Sequence, residues 1–466
     1  MAKMKMFVLG MVILLLTFPQ VATTATPEST GAAVPPADPQ IAAALRGISP
    51  QRIQQTIEKL VSFKTRHTLS SDLPASTGTG INAAAEWIKG EFETYSKACG
   101  GCLEIKTDEF TQEASNRIPK PTKLTNVYAI LRGTNSANAS RVVLVTGHYD
   151  SRNSETNDAT GDAPGANDDG SGTAVSLECA RVLGKQKFAA TIIFLAVAGE
   201  EQGLYGSAHF AKMAKSQGWN IEAVLNNDIV GGDRTPGDTK QDPRTVRVFS
   251  EGTPTNASEN ELKLIRALGG ENDSASRQLA RYVASVSAQY FPARGFHPLV
   301  VFRRDRYLRG GDHTSFNEQG FAAVRFTEYR ENYNHQHQNV RSENGVEYGD
   351  LPKFVNYDYV ANVARLNAAT LASLASAPAP PAKVRMLTKA LQNDSTLVWE
   401  PSPGGLATGY RVLWRDTGAP DWEHAQAFGN LTQATLPMSK DNVIFAVQAT
   451  DAKGRRSLAV VPGPER

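Results

Sequence analysis

The segments RVVLVTGHYDS (141–151), GANDDGSG (165–172) and TIIFLAVAGEEQGLYGS (191–207) decide the fold of this 466-residue chain. In the first and third segments, an apolar run rich in β-branched residues stops at side chains that bind metal ions or move protons. His148 ends the first run, and a pair of glutamates ends the other. Apolar runs of this length predict buried strands. Because α/β sheets bind their ligands at the carboxyl ends of the strands, the pattern predicts a site at that edge.

Similar apolar runs recur along the chain and alternate with segments of helical periodicity. This alternation predicts an α/β fold with a largely parallel sheet and helices on both faces. Further strands are predicted at 103–108, 124–132, 223–228, 246–250, 298–302 and 322–328. Helices are predicted from residue 50, at 82–96, at 168–183, from residue 206, at 274–289, after the turn 310–316, and at 357–375.

A Pro-rich linker at 376–382 separates this α/β domain, 46–375, from a tail of different character. The tail, 383–466, has short alternating strands with turn residues between them, which predicts a small all-β sandwich. Its length and its Trp399 make it similar to a fibronectin type III domain. As an adhesion module it would contact a cell surface or a polymer, and a passive spacer is the alternative. Residues 26–45, rich in Ala, Pro and Thr, are predicted to be a linker or leader without a core of its own.

The first 25 residues have the composition of a secretory signal peptide. Two lysines precede an apolar run from Met6 to Phe18, and small residues follow it up to Ala25. The run is shorter than the roughly 20 residues that a spanning helix needs, which favours cleavage over an uncleaved membrane anchor. The chain is therefore predicted to be secreted or periplasmic, with no membrane span after cleavage.

Charge and cysteine content narrow the class of protein. The 49 Lys and Arg residues nearly balance the 47 Asp and Glu residues, and no basic tract stands out, which argues against a nucleic-acid partner. Cys99 and Cys102 have the spacing of a small disulfide loop in an exported protein, and two free thiols are the alternative. Cys179 lies in a predicted helix and is expected to be a buried free thiol.

Residues that bind metal ions follow several of the predicted strands. The candidates are His148, Asp168, Glu201, Asp228 and either His335 or His337. Imidazole and carboxylate groups suit zinc, and a shared carboxylate commonly lies between two metal ions about 3.5–4 Å apart. Asp168 is the candidate for this bridge. Two adjacent glutamates are ordinarily exposed to solvent. Glu200 and Glu201, however, end a run of residues of the kind that is usually buried, which favours a functional site over a solvated pair.

Six motifs occur in a fixed order over residues 120–340: GHYDS, GANDDGSG, AGEEQGLYGS, NND, GGDHTSF and NYNHQH. Together they resemble the motif set of the co-catalytic dizinc aminopeptidases, metallopeptidase family twenty-eight. The resemblance implies a mostly parallel, eight-stranded α/β sheet, two zinc ions per chain and a peptide substrate.

The resemblance also implies a role for each candidate residue. One zinc is held by His148 and Asp228, the other by Glu201 and His335, and Asp168 bridges the two. Glu200 is the general base that takes a proton from water and passes it to the leaving amine. The last ligand departs from the family pattern, because the Asp that the family commonly has four residues after that histidine is Asn339 here. His337 therefore stays open beside His335.

Two further residues are predicted to support the chemistry. Asp150 lies two residues beyond His148 and is placed to accept the free ring N–H of that histidine, which fixes its tautomer and orientation. The family often has a tyrosine just before the GDH-like motif that stabilises the tetrahedral intermediate. Tyr307 is the nearest tyrosine here, and Arg309 is an alternative donor to an oxyanion. A surface side chain without a role in catalysis is the alternative for both.

The pattern therefore predicts a secreted zinc aminopeptidase, with three alternatives. A glutaminyl cyclase shares several motifs but uses one zinc, and its Glu-Glu and LYGS segments are separated by an insertion, whereas they are contiguous here. A carboxypeptidase of the same fold would differ only in loops. A non-catalytic adhesion protein would be expected to have lost ligands, and all of the candidates are present.

Overall fold

The computed structural model describes residues 30–31, 34–292 and 295–465. The predicted signal peptide, 1–25, lies outside the described residues. The helices within the described ranges are α1 (Pro39–Leu45), α2 (Pro50–Val61), α3 (Gly80–Ala98), α4 (Gly170–Leu183), α5 (Glu200–Gly203), α6 (Tyr205–Ser216), α7 (Glu259–Leu268), α8 (Ala275–Tyr290), α9 (His313–Glu318) and α10 (Tyr357–Ser376). Short 3₁₀ turns occur at Thr68–Asp72, Ala75–Thr77 and Pro352–Phe354.

The strands of the same ranges belong to a large sheet, a small hairpin and a C-terminal sandwich. They are β1 (Thr30–Gly31), β2 (Glu104–Gln112), β3 (Thr122–Leu131), β4 (Arg141–His148), β5 (Thr191–Val197), β6 (Asn220–Asn227), β7 (Thr245–Ser250), β8 (His297–Val301), β9 (Ala323–Glu328), β10 (Arg341–Glu343), β11 (Val346–Tyr348), β12 (Ala382–Leu387), β13 (Ser395–Glu400), β14 (Gly409–Asp416), β15 (His424–Ala427), β16 (Gln433–Leu436), β17 (Val443–Thr450) and β18 (Gly463–Glu465).

The large sheet has eight strands in the order β2-β3-β5-β4-β6-β9-β7-β8. The central strands β5, β4, β6 and β9 are parallel neighbours, and β7 is parallel to β8. The pairs β2–β3, β3–β5 and β7–β9 are antiparallel. The predicted eight-stranded α/β sheet is confirmed, as a mixed sheet whose parallel part lies at its centre.

Helices cover both faces of this sheet, because its central strands are apolar on both sides. Along β4, Val143 and Val145 pack into one core with α4 and α10, whereas Val142 and Leu144 pack into a second core with Phe210 of α6. Alternate residues of a strand face opposite sides of its sheet, so a continuous apolar run gives a strand that is buried on both faces. The strand β4 therefore lies in the interior, and only its end reaches a polar environment.

The packed α/β domain begins before residue 46, which corrects the predicted boundary. The helix α1 lies inside the segment predicted as a linker or leader, and its Ile41, Ala44 and Leu45 are buried in the same core as α10. Asp38 caps this helix by accepting a hydrogen bond from the backbone N–H of Gln40. The apolar stripe of α1 is only seven residues long, which is too short for its periodicity to predict a helix from sequence.

The C-terminal part is a sandwich of two four-stranded sheets, ordered β1-β15-β14-β17 and β16-β13-β12-β18. Trp399, Tyr410 and Val412 are buried between the two sheets. The all-β sandwich is thus confirmed, and its likeness to a fibronectin type III domain stays a prediction. Its first strand, β1, comes from the segment predicted as a leader and pairs with β15.

Buried polar contacts join the sandwich to the α/β domain. Asp273 accepts hydrogen bonds from Arg281 at 2.9 Å and from Arg415 of the sandwich at 2.8 Å, and the three side chains are each 3% exposed. In the predicted linker, the carbonyl of Ala377 accepts a hydrogen bond from Arg141 at 2.9 Å. The two domains are therefore packed against each other, and the Pro-rich segment between them is part of the contact.

The cysteines are arranged as the exported-protein prediction implies. Cys99 and Cys102 form a disulfide at the end of α3, with their Cα atoms 5.6 Å apart. Cys179 is a buried free thiol in α4. Within the ranges described above, no helix is both long enough and apolar enough to cross a membrane.

We expect the substitution Asp273→Asn to lower the free energy of unfolding by about 3–5 kcal/mol, because it leaves two buried guanidinium groups without their counter-charge. Urea denaturation of the full chain measures this change. The matched control is Glu400→Gln, which breaks the exposed pair of Glu400 with Lys383 and should cost less than about 1 kcal/mol. Equal effects of the two substitutions would show that the domain contact contributes little.

Candidate metal centre

The carboxyl edge of the central parallel strands brings the predicted site residues together. His148 is the last residue of β4, Asp228 follows β6 directly, and Glu200 and Glu201 open α5 just beyond β5. Asp168 comes from the loop that enters α4. The geometry of the sheet therefore collects side chains that are up to 80 residues apart in sequence, as the pattern of strand ends predicted.

The site consists of two adjacent groups of potential metal ligands. His148, Glu200 and Asp228 form one group, and Asp168, Glu201 and His337 form the other. Asp168 lies between the two groups. Its Oδ1 is 3.1 Å from His148 Nε2, and its Oδ2 is 2.9 Å from His337 Nε2. One carboxylate thus presents one oxygen to each group.

Several buried atoms of the site lack a hydrogen-bond partner in the described structure. They include Nε2 of His148 and Oδ2 of Asp228. Buried polar atoms are normally paired, and an unpaired one is costly, so these two atoms suit a ligand that accepts lone pairs. Imidazole nitrogen and carboxylate oxygen are donors that zinc takes readily. The residues present therefore fit zinc.

Glu200 is the carboxylate of this cluster that remains partly accessible. Its side chain is 14% exposed, whereas those of His148, Asp168 and Asp228 are 5% exposed or less. Its Oε2 is 4.0 Å from His148 Nε2. Burial raises the pKa of Glu200 well above its ordinary value, the carboxylates around it add to the shift, and His148 opposes it. Glu200 is thus placed on the open side of the cluster, where water can reach it.

The structure places His337 at the cluster, whereas the resemblance implied His335 as the last ligand and left His337 open. The Nδ1 of His335 bonds to the carboxylate of Asp233, and its ring stacks on Phe354 with the centroids 3.7 Å apart. His337 has a left-handed backbone, with φ of 54°, and its Nε2 lies 3.0 Å from Glu201 Oε1. This local turn, which a run of alternating histidines does not reveal, decides which ring reaches the metal ligands.

Asp150 contacts His148 partly as predicted. The Nδ1 of His148 is 3.1 Å from the backbone carbonyl of Asp150 and 3.5 Å from its carboxylate. The carboxylate itself accepts hydrogen bonds from the backbone N–H groups of Glu200 and Glu201, both at 3.2 Å, and from Thr68. Burial would raise the pKa of Asp150, but His148 and these donors outweigh it and hold the pKa below its ordinary value. Asp150 therefore positions the two glutamates as well as the histidine.

The described contacts do not join Tyr307 to the cluster. Its side chain is largely exposed, and its ring packs against the guanidinium of Arg303. Arg309 forms an ion pair with Glu331 at 3.1 Å. The role of Tyr307 as a donor to an oxyanion stays a prediction.

His313 is buried at the start of α9, with Nε2 2.9 Å from the carbonyl of Arg304, as expected of a structural histidine at a turn.

Asp350 and Arg66 hold the Asp168 loop, and sequence reasoning missed both. Asp350 accepts hydrogen bonds from the backbone N–H groups of Asn167 at 2.8 Å and Asp168 at 2.7 Å. Burial raises the pKa of Asp350 to about 7, although these two donors oppose the shift. Arg66 is fully buried and donates to the carbonyls of residues 60, 149, 164 and 165. Both lie in loops or turns without any motif, so the sequence contains no signal of their burial.

Two arginines contact the outer carboxylates of the site. Arg325 Nη2 is 2.9 Å from Asp228 Oδ1, and Arg152 Nε is 3.2 Å from Glu201 Oε2. Arg325 lies in β9 and is completely buried. A charged residue within the apolar run AAVRFTE was the visible signal for Arg325. Buried charges are rare unless they are paired, so such a residue points to a partner inside the protein.

Comparison with known proteins agrees with this geometry. The family described as Peptidase family M28 matches residues 126–344. A probable zinc metalloprotease of Pyrenophora teres f. teres is 45% identical over 432 residues, which cover 92% of this chain and 88% of that protein. The chain belongs to peptidase family M28. As an M28 protein of this similarity, it is a zinc metalloprotease.

Other similar proteins agree with the assignment of this chain to peptidase family M28. A probable zinc metalloprotease of Pyricularia oryzae is 45% identical over 443 residues, covering 94% of this chain and 86% of the relative. Among solved structures, the LapA aminopeptidase of Legionella pneumophila is similar with a TM-score of 0.50 and 23% identity. The similar region covers 72% of this chain and 75% of LapA, and at this identity it shows the shared fold.

We expect His337→Asn to weaken zinc binding more than the roughly 10–100-fold that the loss of an outer-shell partner typically costs, because it removes a candidate ligand. The paired variant His335→Asn should bind zinc as the unmodified chain does, since His335 contacts Asp233 and Phe354. Zinc titration of the two metal-depleted variants measures both effects. The reverse ranking of the two variants would restore His335 as the ligand.

Proposed function

We propose that this M28 metalloprotease is an exported aminopeptidase that uses two zinc ions per chain to remove N-terminal residues from peptides. The observation that supports the pair of zinc ions best is the position of Asp168, which presents one oxygen to each of two ligand groups. In this proposal, His148 and Asp228 hold one zinc, Glu201 and His337 hold the other, and Asp168 is shared.

Zinc ions in such a pair polarise the scissile carbonyl and lower the pKa of water. The residues of the chain supply the rest. Glu200 takes a proton from the attacking water at its accessible carboxylate and delivers it to the leaving amine. Asp150 holds the start of α5, so the Glu200 carboxylate keeps its position on the open side of the cluster. General acid–base transfer of this kind is worth about 10²–10⁴-fold in rate.

The charge around the site supports an aminopeptidase over a carboxypeptidase. Carboxylates outnumber the cationic side chains there, and Glu200 is the partly exposed carboxylate among them. A site lined with negative charge attracts the protonated α-amine of a peptide and repels its C-terminal carboxylate.

Export is supported by the signal-like N-terminus and by the disulfide of Cys99 with Cys102. Disulfides persist in oxidising compartments and are rare in the cytosol. A secreted or periplasmic location follows if residues 1–25 direct export. Fractionation of cells expressing the full chain tests this point, and N-terminal sequencing of the released protein locates the cleavage site.

A substrate panel separates the proposed activity from its alternatives. The panel contains aminoacyl chromogenic substrates, the same compounds with a blocked amine, peptides with a free C-terminus and a blocked N-terminus, and a peptide that begins with glutamine. An aminopeptidase cleaves the unblocked aminoacyl substrates, can release the first residue of the glutamine peptide and leaves both amine-blocked classes intact. A chelator should abolish this cleavage until zinc is returned. Cleavage of the amine-blocked peptides from the C-terminus would indicate a carboxypeptidase. Loss of ammonia from the glutamine peptide would indicate a cyclase.

We expect Glu200→Gln to retain its zinc and to lose about 10²–10⁴-fold in kcat, because the amide cannot accept the proton. Elemental analysis and steady-state kinetics on the best aminoacyl substrate measure the two effects. Glu86→Gln, an exposed position on α3, is the control for the same chemical change and should leave both values unaltered. Full activity of the Glu200 variant would remove Glu200 from the role of base.

A further inference from the structure

A cavity of about 230 Å³ lies between the helix α8 of the α/β domain and the C-terminal sandwich. Residues of α8 line one side of it, residues of the sandwich line the other, and Val34 and Pro35 of the N-terminal segment also contribute. None of the residues that line this cavity belongs to the two ligand groups of the metal centre. The cavity is therefore a separate feature of the molecule, formed by the contact of the two domains.

Arginines from both domains line this inter-domain cavity. They are Arg281 of α8, Arg411 of β14 and Arg456 in the segment after β17. Among the described residues that line it, the carboxylate is Asp421, which is exposed. Positive charge therefore exceeds negative charge at the cavity wall, which favours an anionic ligand over a cationic one.

Arg411 has no counter-charge within the described part of the chain. Its Nη1 is buried without a hydrogen-bond partner there, and no carboxylate of the described residues forms an ion pair with it. Burial lowers the pKa of Arg411 to about 10, and the neighbouring charge of Arg456 acts in the same direction. Buried polar groups are normally paired, and buried charges especially so. Arg411 thus has a donor for an acceptor that these residues do not supply.

Arg281 also retains an unused donor at the cavity wall. It is 4% exposed, and its Nη2 is buried without a partner among the described residues. Its Nη1 donates to Asp273 at 2.9 Å, and its Nε donates to the carbonyl of Pro420 at 2.9 Å. Asp273 is shared with Arg415, which contacts it at 2.8 Å, so one carboxylate serves two guanidinium groups. The local charge is therefore only partly compensated.

From these observations we propose that the inter-domain cavity binds an oxyanion group, phosphate or sulfate, between Arg281 of one domain and Arg411 of the other. Guanidinium groups match the oxygens of such anions with charge-assisted hydrogen bonds, which are stronger than neutral ones. The bound group joins the two domains, because its oxygens accept from both. The cavity volume is several times the roughly 30 Å³ of one water molecule, so the group can be a free ion or can be carried on a small organic molecule.

Isothermal titration calorimetry of the full chain at constant ionic strength tests this inference. Inorganic phosphate and glucose 6-phosphate are the two probes, and tighter binding of one or the other tells whether the group is bound free or on an organic molecule. We expect Arg411→Met to weaken binding of both probes at this site by about tenfold or more, because it removes charge-assisted hydrogen bonds. Phosphate bound at the metal centre is common to the unmodified chain and the variant, so the difference reports the cavity.

Thermal unfolding gives a second readout that a merely structural role of Arg411 would not produce. Phosphate should raise the unfolding midpoint of the unmodified chain, because a ligand that binds the folded state stabilises it. In chloride buffer without phosphate, Arg411→Met should unfold no earlier than the unmodified chain, since it replaces an uncompensated buried charge with an apolar side chain. Addition of phosphate should then raise the midpoint of this variant less than that of the unmodified chain.

Two further variants complete the comparison. Arg411→Gln is polar and uncharged, and it should lose the phosphate response as Arg411→Met does. Arg132→Met removes an arginine that pairs with Glu104 on the exposed surface, and it should retain the full response. Equal phosphate affinity in the unmodified chain and in both Arg411 variants would overturn the inference, and so would a phosphate response no larger than that to chloride. Neither result bears on the proposed peptidase activity, which depends on other residues.

Discussion

The register of three parallel strands is the constraint on which the rest of the molecule depends. Hydrogen bonding pairs His148 of β4 with Val197 of β5, and Thr146 of β4 with Asn226 of β6. His148 lies two residues after Thr146, and Asp228 lies two residues after Asn226, so Asp228 is level with His148 across the sheet. The first glutamate of α5 lies three residues after Val197. A shift of one residue in either pairing would turn these side chains to the other face of the sheet. The apolar residues that fill both cores fix the register, and the register in turn fixes the distances within the site.

Gathering so many carboxylates at one edge is unfavourable in the absence of cations, and the surrounding structure reflects this. Backbone N–H groups and buried arginines compensate the negative charge from outside the ligand set. Asp150 accepts two N–H donors of α5, Asp350 accepts two from the Asp168 loop, and Arg66 fixes the carbonyls of the same loop. Removing one partner from a buried charged pair costs several kcal/mol, so these contacts couple the stability of the loops to the charge of the site.

The central strands and the meeting of their polar ends at one edge were predictable, because each depends on a local apolar run that stops at a charged residue. The position of His337 at the cluster was not predictable, since it depends on one left-handed residue in an irregular loop. The helix α1 was missed because its apolar face spans only two turns. The helix α7 was not predicted because none of its side chains is buried. Its main signal in the sequence is the capping box formed by Ser258 and Glu261. Asp350 and Arg66 act through backbone groups, and such contacts leave no residue pattern.

Asp168, the candidate bridge between the two ligand groups, is held in place differently from the candidate ligands at the ends of strands. His148 and Asp228 are placed by the sheet itself, whereas Asp168 belongs to the loop 149–169 and is held by contacts from other loops. Asp350 binds its backbone, and Gln336 donates to its Oδ2 at 3.0 Å from the same loop that carries His337. The sheet therefore sets one half of the centre rigidly. The other half is set by loops, and it is the half that Arg152 contacts. The candidate ligands on the loop side can consequently move without disturbing the strands, whereas those on the sheet side cannot.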